Sequence, residues 1–207
     1  MEVELKYAVP DEETAQRIWY DDELGNMIED DSCRVDRYYG SYYDTPDHIL
    51  TDNDITFRIR HEGERTVACL KWHGSRHGAL HKREELNVTI EGDIPERADP
   101  EIFRESEKGK EIIGMTGGEK IPELFEVDVL RKSMRVDTGS SIIEISIDRG
   151  KIHTNNGDVP ISEVELELFQ GDEQSLTETG EWLAGKYDLV AEKKSKFARG
   201  LEKLNCE

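Results

Sequence analysis

The stretch EVELEL, from Glu163 to Leu168, alternates acidic and apolar side chains without interruption. A β-strand points successive side chains to opposite faces, so this stretch predicts a strand with three carboxylates on one face. Like charges at alternate positions of a strand lie about 7 Å apart, and they repel one another unless a cation or a basic side chain is nearby. The stretch therefore indicates a sheet in which the charged face meets compensating charges.

The same alternation recurs in segments far apart in the chain. Charged residues alternate with apolar ones in Glu2–Val9, three isoleucines oppose polar side chains in Ile142–Asp148, and Arg58 and Arg60 share one face of Ile55–His61. For any single strand, a half-exposed sheet with its charged face in water is the ordinary explanation. Several such strands together favour a sheet closed into a barrel, with apolar faces outward under helices and charged faces lining a polar bore.

Gly, Pro, Asp and Asn residues separate the alternating segments and mark the ends of the predicted strands and helices. The predicted strands are Glu2–Val9, Arg34–Asp44, Ile55–His61, Arg65–Trp72, His81–Ile90, Leu124–Val136, Ile142–Asp148 and Ile161–Phe169. The predicted helices are Asp11–Gly25, Asp99–Glu107, Gln174–Leu183 and Ser195–Leu204. The sequence thus predicts an α+β fold, an eight-stranded antiparallel closed β-barrel with flanking helices, as a single domain spanning residues 1–207.

The composition limits the partners of the protein. Its 207 residues include 27 Lys and Arg against 47 Asp and Glu, a net charge of −20 that repels nucleic acid and anionic lipid. A polyanionic substrate remains compatible with this charge if the basic side chains are gathered in one enclosed place. The sequence shows neither a membrane-spanning apolar run nor a secretory signal, so we expect a cytoplasmic protein with no nucleic-acid or membrane partner and with reduced cysteines.

Short motifs in a fixed order connect the sequence with a known family. The opening Glu2-Val3-Glu4-Leu5-Lys6 matches the pattern ExExK, and further pieces follow in family order across nearly the whole chain. These pieces are Tyr42-Tyr43-Asp44-Thr45-Pro46, Arg58-Ile59-Arg60, Leu70-Lys71, His81-Lys82-Arg83-Glu84-Glu85, Arg131, Ile147-Asp148-Arg149-Gly150, Glu163–Leu168 and Ser195-Lys196. The sequence is identified as a member of the CYTH, or triphosphate tunnel metalloenzyme, family. It resembles the CYTH half of bacterial inorganic triphosphatases, without the helical CHAD domain that often follows it.

The resemblance implies a tunnel that binds a triphosphate along its bore. It implies inward basic side chains that bind the substrate phosphates, namely Lys6, Arg58, Arg60, Lys71, Arg83, Arg131 and Lys196. Arginine binds phosphate oxygens through a bidentate fork, whereas lysine acts as a mobile point charge. The residues expected to be catalytic are Glu4, Lys6, Arg58 and Arg60. His81 is a weaker candidate for a phosphate contact.

The acidic residues imply a metal, because phosphate oxygens and bare carboxylates repel each other. Mg²⁺ and Mn²⁺ bind carboxylate, water and phosphate oxygens, and the resemblance implies one of these ions as cofactor. The candidate metal ligands are Glu2, Glu4, Glu163, Glu165, Glu167 and Asp148, with Glu85 and Glu144 as further choices. One metal is expected to bridge the substrate phosphates, and a second is an option for positioning water. Which of the three late glutamates bind metal stays open.

The predicted function is metal-dependent hydrolysis of a triphosphate, with inorganic tripolyphosphate as the expected substrate and nucleoside triphosphates or polyphosphate as further candidates. Water would attack a terminal phosphorus in line with the leaving oxygen. A class IV adenylyl cyclase and a thiamine triphosphatase share such a tunnel and stay alternatives, as does a non-catalytic module that binds polyphosphate or nucleotide. Monomer and homodimer are both compatible with the sequence.

Overall fold

The computed structural model of the chain describes residues 1–206, and its strands form one antiparallel sheet that closes on itself. The long strands are β1 (Glu2–Ala8), β2 (Arg34–Tyr43), β3 (Thr56–Glu62), β4 (Arg65–His77), β5 (Leu80–Ile90), β7 (Ile121–Asp137), β8 (Ile142–Thr154) and β9 (Gly157–Gln170). Two short strands, β6 (Arg97–Ala98) and β10 (Val190–Ala191), pair with β7 and β1. The order around the barrel is β1-β5-β4-β3-β2-β7-β8-β9, and β1 pairs again with β9. The predicted eight-stranded closed barrel is confirmed.

Closure of the barrel places the first and last long strands side by side. In the antiparallel pairing of β1 with β9, Glu4 lies opposite Glu167 and Lys6 lies opposite Glu165. Residues on one face of adjacent strands are near neighbours, so two strands from opposite ends of the sequence bring their charged side chains together.

The helices are α1 (Glu12–Trp19), α2 (Asp22–Gly25), α3 (Ile49–Asp52), α4 (Glu107–Thr116), α5 (Glu173–Tyr187) and α6 (Lys196–Leu204), with a 3₁₀ helix at Pro100–Phe103. Among the helices of residues 1–206, none has both the length and the apolar character needed to cross a membrane.

Two of the predicted helices differ from those in the structure. The segment Asp11–Gly25 forms two helices, because the Asp21 carboxylate accepts hydrogen bonds from the N–H groups of Glu23 and Leu24 and so starts a new helix. The segment Asp99–Glu107 forms only the 3₁₀ helix, whereas α4 begins where that prediction ended. The Ser106 hydroxyl starts α4 by accepting a hydrogen bond from the Gly109 N–H at 2.9 Å.

Apolar side chains on the outer faces of the strands form two cores beneath the helices. One core joins β1, β8 and β9 to α1 and α5, and Ile145, Leu166 and Leu183 are fully buried in it. The other lies beneath α3, α4 and the 3₁₀ helix, where Phe57 contacts Phe103 edge to face. These cores confirm that the apolar faces point outward under helices.

A third core lies inside the barrel, where only charged residues were expected. The inner faces of β7 and β8 carry the apolar side chains Phe125, Val127 and Ile152, and α6 packs against them through Phe197. A Cβ atom on Gly200 would lie 2.5 Å from the Phe125 ring, so glycine permits the close approach of α6. The helix therefore occupies part of the bore instead of flanking it, and the charged residues line only the rest.

Candidate active site in the barrel

A cavity of about 330 Å³ lies inside the barrel next to α6. Its basic lining includes all the predicted phosphate-binding residues, Lys6, Arg58, Arg60, Lys71, Arg83, Arg131 and Lys196. Its acidic lining includes Glu2, Glu4, Glu85, Glu165 and Glu167. Charged side chains from six strands and one helix thus meet in one cavity, in a protein with a net charge of −20.

Three arginines of the cavity, Arg58, Arg60 and Arg83, differ in the hydrogen bonds and ion pairs that they form with other side chains. Within residues 1–206 Arg58 forms no ion pair, and its Nε atom is buried without a hydrogen-bond partner. Arg60 donates from Nε to Glu62 at 2.5 Å, and Arg83 lies 3.2 Å from Asp54. A guanidinium without a protein partner can give all its donors to an anionic ligand, so Arg58 is the most available of the three.

The acidic residues fall into two groups, and we call the first the Glu167 cluster (Glu2, Glu4, Glu85 and Glu167). Lys71 is its main cation, with Nζ 2.6 Å from both Glu2 oxygens and 2.9 Å from Glu85. Glu4 lies 3.4 Å from Lys6, whereas Glu167 forms no ion pair within the described part of the chain. Four carboxylates therefore share few cations.

The pKa values in the Glu167 cluster show the effect of this imbalance. Desolvation inside the barrel, together with the negative charges of Glu2, Glu85 and Glu4, raises the pKa of Glu167 to about 8. Desolvation and the neighbouring carboxylates also raise the pKa of Glu2, although Lys71 opposes them. Glu167 remains exposed, so a ligand can reach it. A hard divalent cation would relieve this repulsion, and the all-oxygen donor set suits one.

The second group, which we call the Asp148 cage, consists of Asp148, Glu163 and Glu165. Their carboxylate oxygens lie within 4.8 Å of one another, close enough to hold a metal ion. However, the Lys196 ammonium already lies among them, with Nζ 2.7 Å from Asp148, 3.0 Å from Glu165 and hydrogen-bonded to Glu163. Arg131 adds bonds of 2.7 Å to both Asp148 oxygens and of 2.6 Å to Glu165. We therefore regard the Glu167 cluster as the better candidate metal site.

Three of the predicted acidic residues lie outside the cavity lining. Asp148 and Glu163 are fully buried in the cage, and Glu144 pairs with Arg135 at 3.1 Å. The assignment of these residues as metal ligands stays a prediction, and their basic partners argue against it.

Two basic residues in or near the cavity, Arg76 and Arg199, were not predicted from the sequence. Arg76 lines the cavity because β4 continues past Trp72 through an irregular pairing with β5, beyond its predicted end. Arg199 bonds Glu163 from α6, one helical turn after Lys196. The spacing of Lys196 and Arg199 places both on one helix face, which was the available signal.

His81 lies in the cavity wall, where its Nε2 atom is 3.1 Å from the Glu192 carbonyl oxygen. Desolvation and the nearby Lys6 lower the pKa of His81 below its usual value. The ring is therefore neutral near pH 7, and it can position a polar group without adding positive charge.

Asp44, from the YYDTP segment, shapes the cavity wall without lining it. Its buried carboxylate accepts hydrogen bonds from the N–H groups of Thr45, Leu50 and Thr51 at 2.7 to 2.9 Å, and from the Thr51 hydroxyl at 2.5 Å. These bonds hold the loop between β2 and β3, which leads directly to Arg58. Tyr42 packs against Phe125, with ring centroids 5.1 Å apart.

Comparison with known proteins gives matches both in sequence and in structure. The CYTH domain family model matches residues 1–201. The inorganic triphosphatase of Haemophilus influenzae is 32% identical over 165 residues, which cover 77% of this chain and 44% of that protein. The chain thus spans less than half the length of this relative.

Solved structures share the fold at low sequence identity. A candidate adenylyl cyclase from Hippeastrum, described as having a dominant triphosphatase activity, superposes with a TM-score of 0.69 at 17% identity, over 98% of this chain and 96% of that one. The PH1819 protein of Pyrococcus horikoshii gives a TM-score of 0.58 at 20% identity, over 98% and 99%. The mimivirus capping enzyme triphosphatase gives 0.53 at 13% identity, over 90% and 88%. These likenesses support the barrel topology.

Proposed function

Because this chain belongs to the CYTH domain family, we propose that it is a divalent-metal-dependent hydrolase of inorganic tripolyphosphate. The reaction would take place in the barrel cavity, within a single domain formed by residues 1–207. One observation carries the proposal: the cavity joins a wall of basic side chains to a carboxylate cluster that has too few cations. A triphosphate complexed with a divalent cation complements both parts.

The predicted basic residues that line the cavity, which we call the basic wall, would bind the phosphate chain. They are Lys6, Arg58, Arg60, Lys71, Arg83, Arg131 and Lys196. Arg58 offers a free guanidinium, and Arg60 and Lys71 lie on the neighbouring strands β3 and β4. Charge-assisted hydrogen bonds to phosphate are stronger inside an enclosed cavity than in water, because the local dielectric is lower. The cavity can therefore attract a polyanion even though the surface as a whole is acidic.

We propose that Glu2, Glu4 and Glu167 hold the metal. Glu165 is a poorer ligand, because its oxygens already accept bonds from Lys6 at 2.7 Å, Arg131 at 2.6 Å and Lys196 at 3.0 Å. When bound, Mg²⁺ or Mn²⁺ would neutralise charge on the phosphate oxygens and make bound water more acidic. The name of the Haemophilus influenzae relative supports inorganic triphosphate as the substrate.

The chemical step follows from the charges that surround the phosphorus. In the transition state negative charge develops on the equatorial and leaving oxygens, and Arg58 and Arg60 would stabilise it. A carboxylate of the Glu167 cluster would accept a hydrogen bond from the attacking water and orient it. The enclosed cavity limits access of bulk water, so these fixed charges act with little screening.

The test is phosphate release from tripolyphosphate, ATP and thiamine triphosphate with Mg²⁺ or Mn²⁺, together with an assay for cyclic AMP. We expect tripolyphosphate to be the best substrate, EDTA to abolish turnover, and Glu4→Gln to lower it at least about 100-fold. Glu84→Gln is the matched control, because Glu84 lies outside the cavity lining and its one ion pair within residues 1–206 is with the N-terminal amine at 3.7 Å.

Three results would contradict the proposal. Tripolyphosphate binding without metal-dependent turnover would indicate a binding module, and formation of cyclic AMP would indicate a cyclase. Equal activity of the Glu4→Gln and Glu84→Gln variants would reject the site.

A further inference from the structure

Arg76 lies at the mouth of the barrel cavity, beyond the residues of the basic wall. The pairing of β4 with β5 shifts by one residue between Trp72 and Ser75, where His73 adopts a positive φ of 52°. Because successive side chains of a strand point to opposite faces, the extra residue of this bulge turns Arg76 to the inner face. Its partner across the ladder is His81, which also lines the cavity. The bulge therefore adds a basic residue to the lining.

The Arg76 guanidinium is held in place without being neutralised. Its Nη1 atom donates a hydrogen bond to the Lys193 carbonyl oxygen at 2.9 Å, in the segment that leads into α6. A guanidinium has five N–H donors, and Arg76 forms no ion pair within residues 1–206, so most of its donors are free. The side chain is exposed, and a ligand at the mouth can therefore reach it. Of the arginines that line the cavity, Arg58 is the other one that lacks a carboxylate partner in the described part of the chain.

Arg58 and Arg76 stand at the two ends of a row of basic side chains. Cys69 is the ladder partner of Arg58, and Arg76 comes later on the same strand. A strand rises about 3.3 Å per residue, so the stretch from Cys69 to Arg76, with its bulge, spans roughly 20 Å. Lys71 lies between them on β4, and Arg83 lies on β5 opposite the bulge. A row of this length accommodates more phosphate units than the three of tripolyphosphate.

Arg76 also lies close to the proposed metal site. Glu4 pairs with His81, and His81 pairs with Arg76, so the three residues are neighbours across β1, β5 and β4. Adjacent strands are about 4.8 Å apart, which places the Arg76 backbone about 10 Å from that of Glu4. A phosphate chain bound to a metal at Glu4 therefore reaches Arg76 when it extends toward the mouth.

We propose that Arg76 binds a fourth phosphate, so that the cavity accepts linear inorganic polyphosphates longer than tripolyphosphate. The basic wall binds the first three phosphates, and Arg76 binds the unit that emerges at the mouth. A guanidinium binds a phosphate through two parallel charge-assisted hydrogen bonds, whereas an uncharged sugar in that place offers no anion. Arg76 is thus a specificity-determining residue for chain length. This inference rests on the proposed function for the place of the first three phosphates.

The first test measures the binding of tripolyphosphate and tetrapolyphosphate to the full chain in EDTA by calorimetry. We expect the wild type to bind tetrapolyphosphate at least about 10-fold more tightly, because the fourth phosphate adds a guanidinium fork. Arg76→Met should weaken tetrapolyphosphate binding by at least about 10-fold and tripolyphosphate binding by less than about threefold. Arg65→Met is the matched control, since it removes the same charge at the other end of β4 and should change either affinity by less than about twofold.

The melting temperature of Arg76→Met should stay within about 2 °C of the wild type, because the side chain is exposed. A difference in binding then reports the lost contact and not a loss of fold. An equal loss of both ligands in Arg76→Met would place Arg76 against the first three phosphates and overturn the inference. A wild type that binds both chains with equal affinity would also overturn it.

The second test measures kcat/KM for both chains with Mn²⁺ by following loss of the starting polyphosphate. Water adds across a terminal P–O–P bond, so tetrapolyphosphate gives tripolyphosphate and orthophosphate. Arg76→Met should lower kcat/KM at least about 10-fold for tetrapolyphosphate, mainly through KM, and less than about threefold for tripolyphosphate. A wild type that binds both chains and hydrolyses neither would reject the proposed function, whereas the binding of the two chains in EDTA would still decide the role of Arg76.

Discussion

Replacement of Arg58 by methionine tests the proposed site most directly. Arg58 lines the cavity, forms no ion pair within residues 1–206, and has a buried Nε atom without a partner. Methionine keeps most of the apolar stem of the side chain and removes only the guanidinium. Because that group takes part in no ion pair and no side-chain hydrogen bond within residues 1–206, we expect Arg58→Met to fold as the wild type does and to be at least as stable.

The size of the effect follows from the hydrogen bonds that the guanidinium can make. Each charge-assisted hydrogen bond contributes about 1.5 to 3 kcal/mol, and a guanidinium fork makes two of them to one phosphate. Water replaces part of this interaction in the variant, so we take about 3 kcal/mol as the net loss. Since 1.4 kcal/mol corresponds to a factor of ten, kcat/KM for tripolyphosphate should fall by about 100-fold or more.

The assay is release of inorganic phosphate from tripolyphosphate with saturating Mn²⁺, with the melting temperature measured on the same samples. Arg65→Met is the matched control, because Arg65 lies at the start of β4 with its side chain 69% exposed and 4.0 Å from Glu62. It should retain kcat/KM within about twofold. An Arg58→Met variant that keeps kcat/KM within threefold of wild type, at an unchanged melting temperature, would refute the role assigned to the basic wall.

Three further predictions concern stability. The pKa of Glu167 is raised from 4.5 to about 8, so the folded protein binds this proton more tightly than the unfolded chain does. The melting temperature in EDTA should therefore fall as pH rises from about 4.5 to 8. Glu167→Gln should make this fall smaller. Asp44→Ala should lower the free energy of unfolding in urea by about 2 to 4 kcal/mol, because it leaves buried N–H groups without acceptors; a loss below 1 kcal/mol would contradict this. Gly200→Ala should destabilise the protein, since its Cβ would lie 2.5 Å from Phe125, whereas Gly185→Ala, with nothing within 4 Å, should stabilise it slightly.

The barrel could be predicted because the alternation of charged and apolar residues is a local property of each strand. In β9 the apolar residues Val164 and Leu166 point into the outer core, and the glutamates that alternate with them point inward. A sheet with one apolar and one highly charged face has to bury the first and bring the second close to compensating charges. Closing the sheet into a barrel does both. The convergence of the predicted cations in one cavity follows from the same alternation.

The position of α6 could not be predicted in this way. Its sequence is amphipathic, as in many helices that lie on a protein surface, and nothing in its period distinguishes the inside of a barrel from the outside. The cause lies in β7 and β8. Phe125 falls within the predicted bounds of β7, Ile152 lies in the part of β8 beyond its predicted end, and both side chains lie on the inner face. Around Phe125 charged and apolar residues do alternate, but the apolar Phe125 and Val127 share the inner face and Glu126 lies on the other, so the inner face was not recognised as apolar.

The three glutamates of β9 differ in burial and in ion pairs, and these differences are set by the rest of the barrel and not by the strand itself. Glu163 is fully buried beside Lys196 and Arg199, Glu165 contacts three cations, and Glu167 is exposed with no ion pair within the described residues. The residue type and the strand face are the same at all three positions, so only the neighbouring strands and α6 set the difference. Negative charge is therefore compensated by the protein at one end of the row and left uncompensated at the other. In the function that we propose, a divalent cation would stabilise this arrangement at Glu167, the exposed end of the row, where a phosphate chain would meet it.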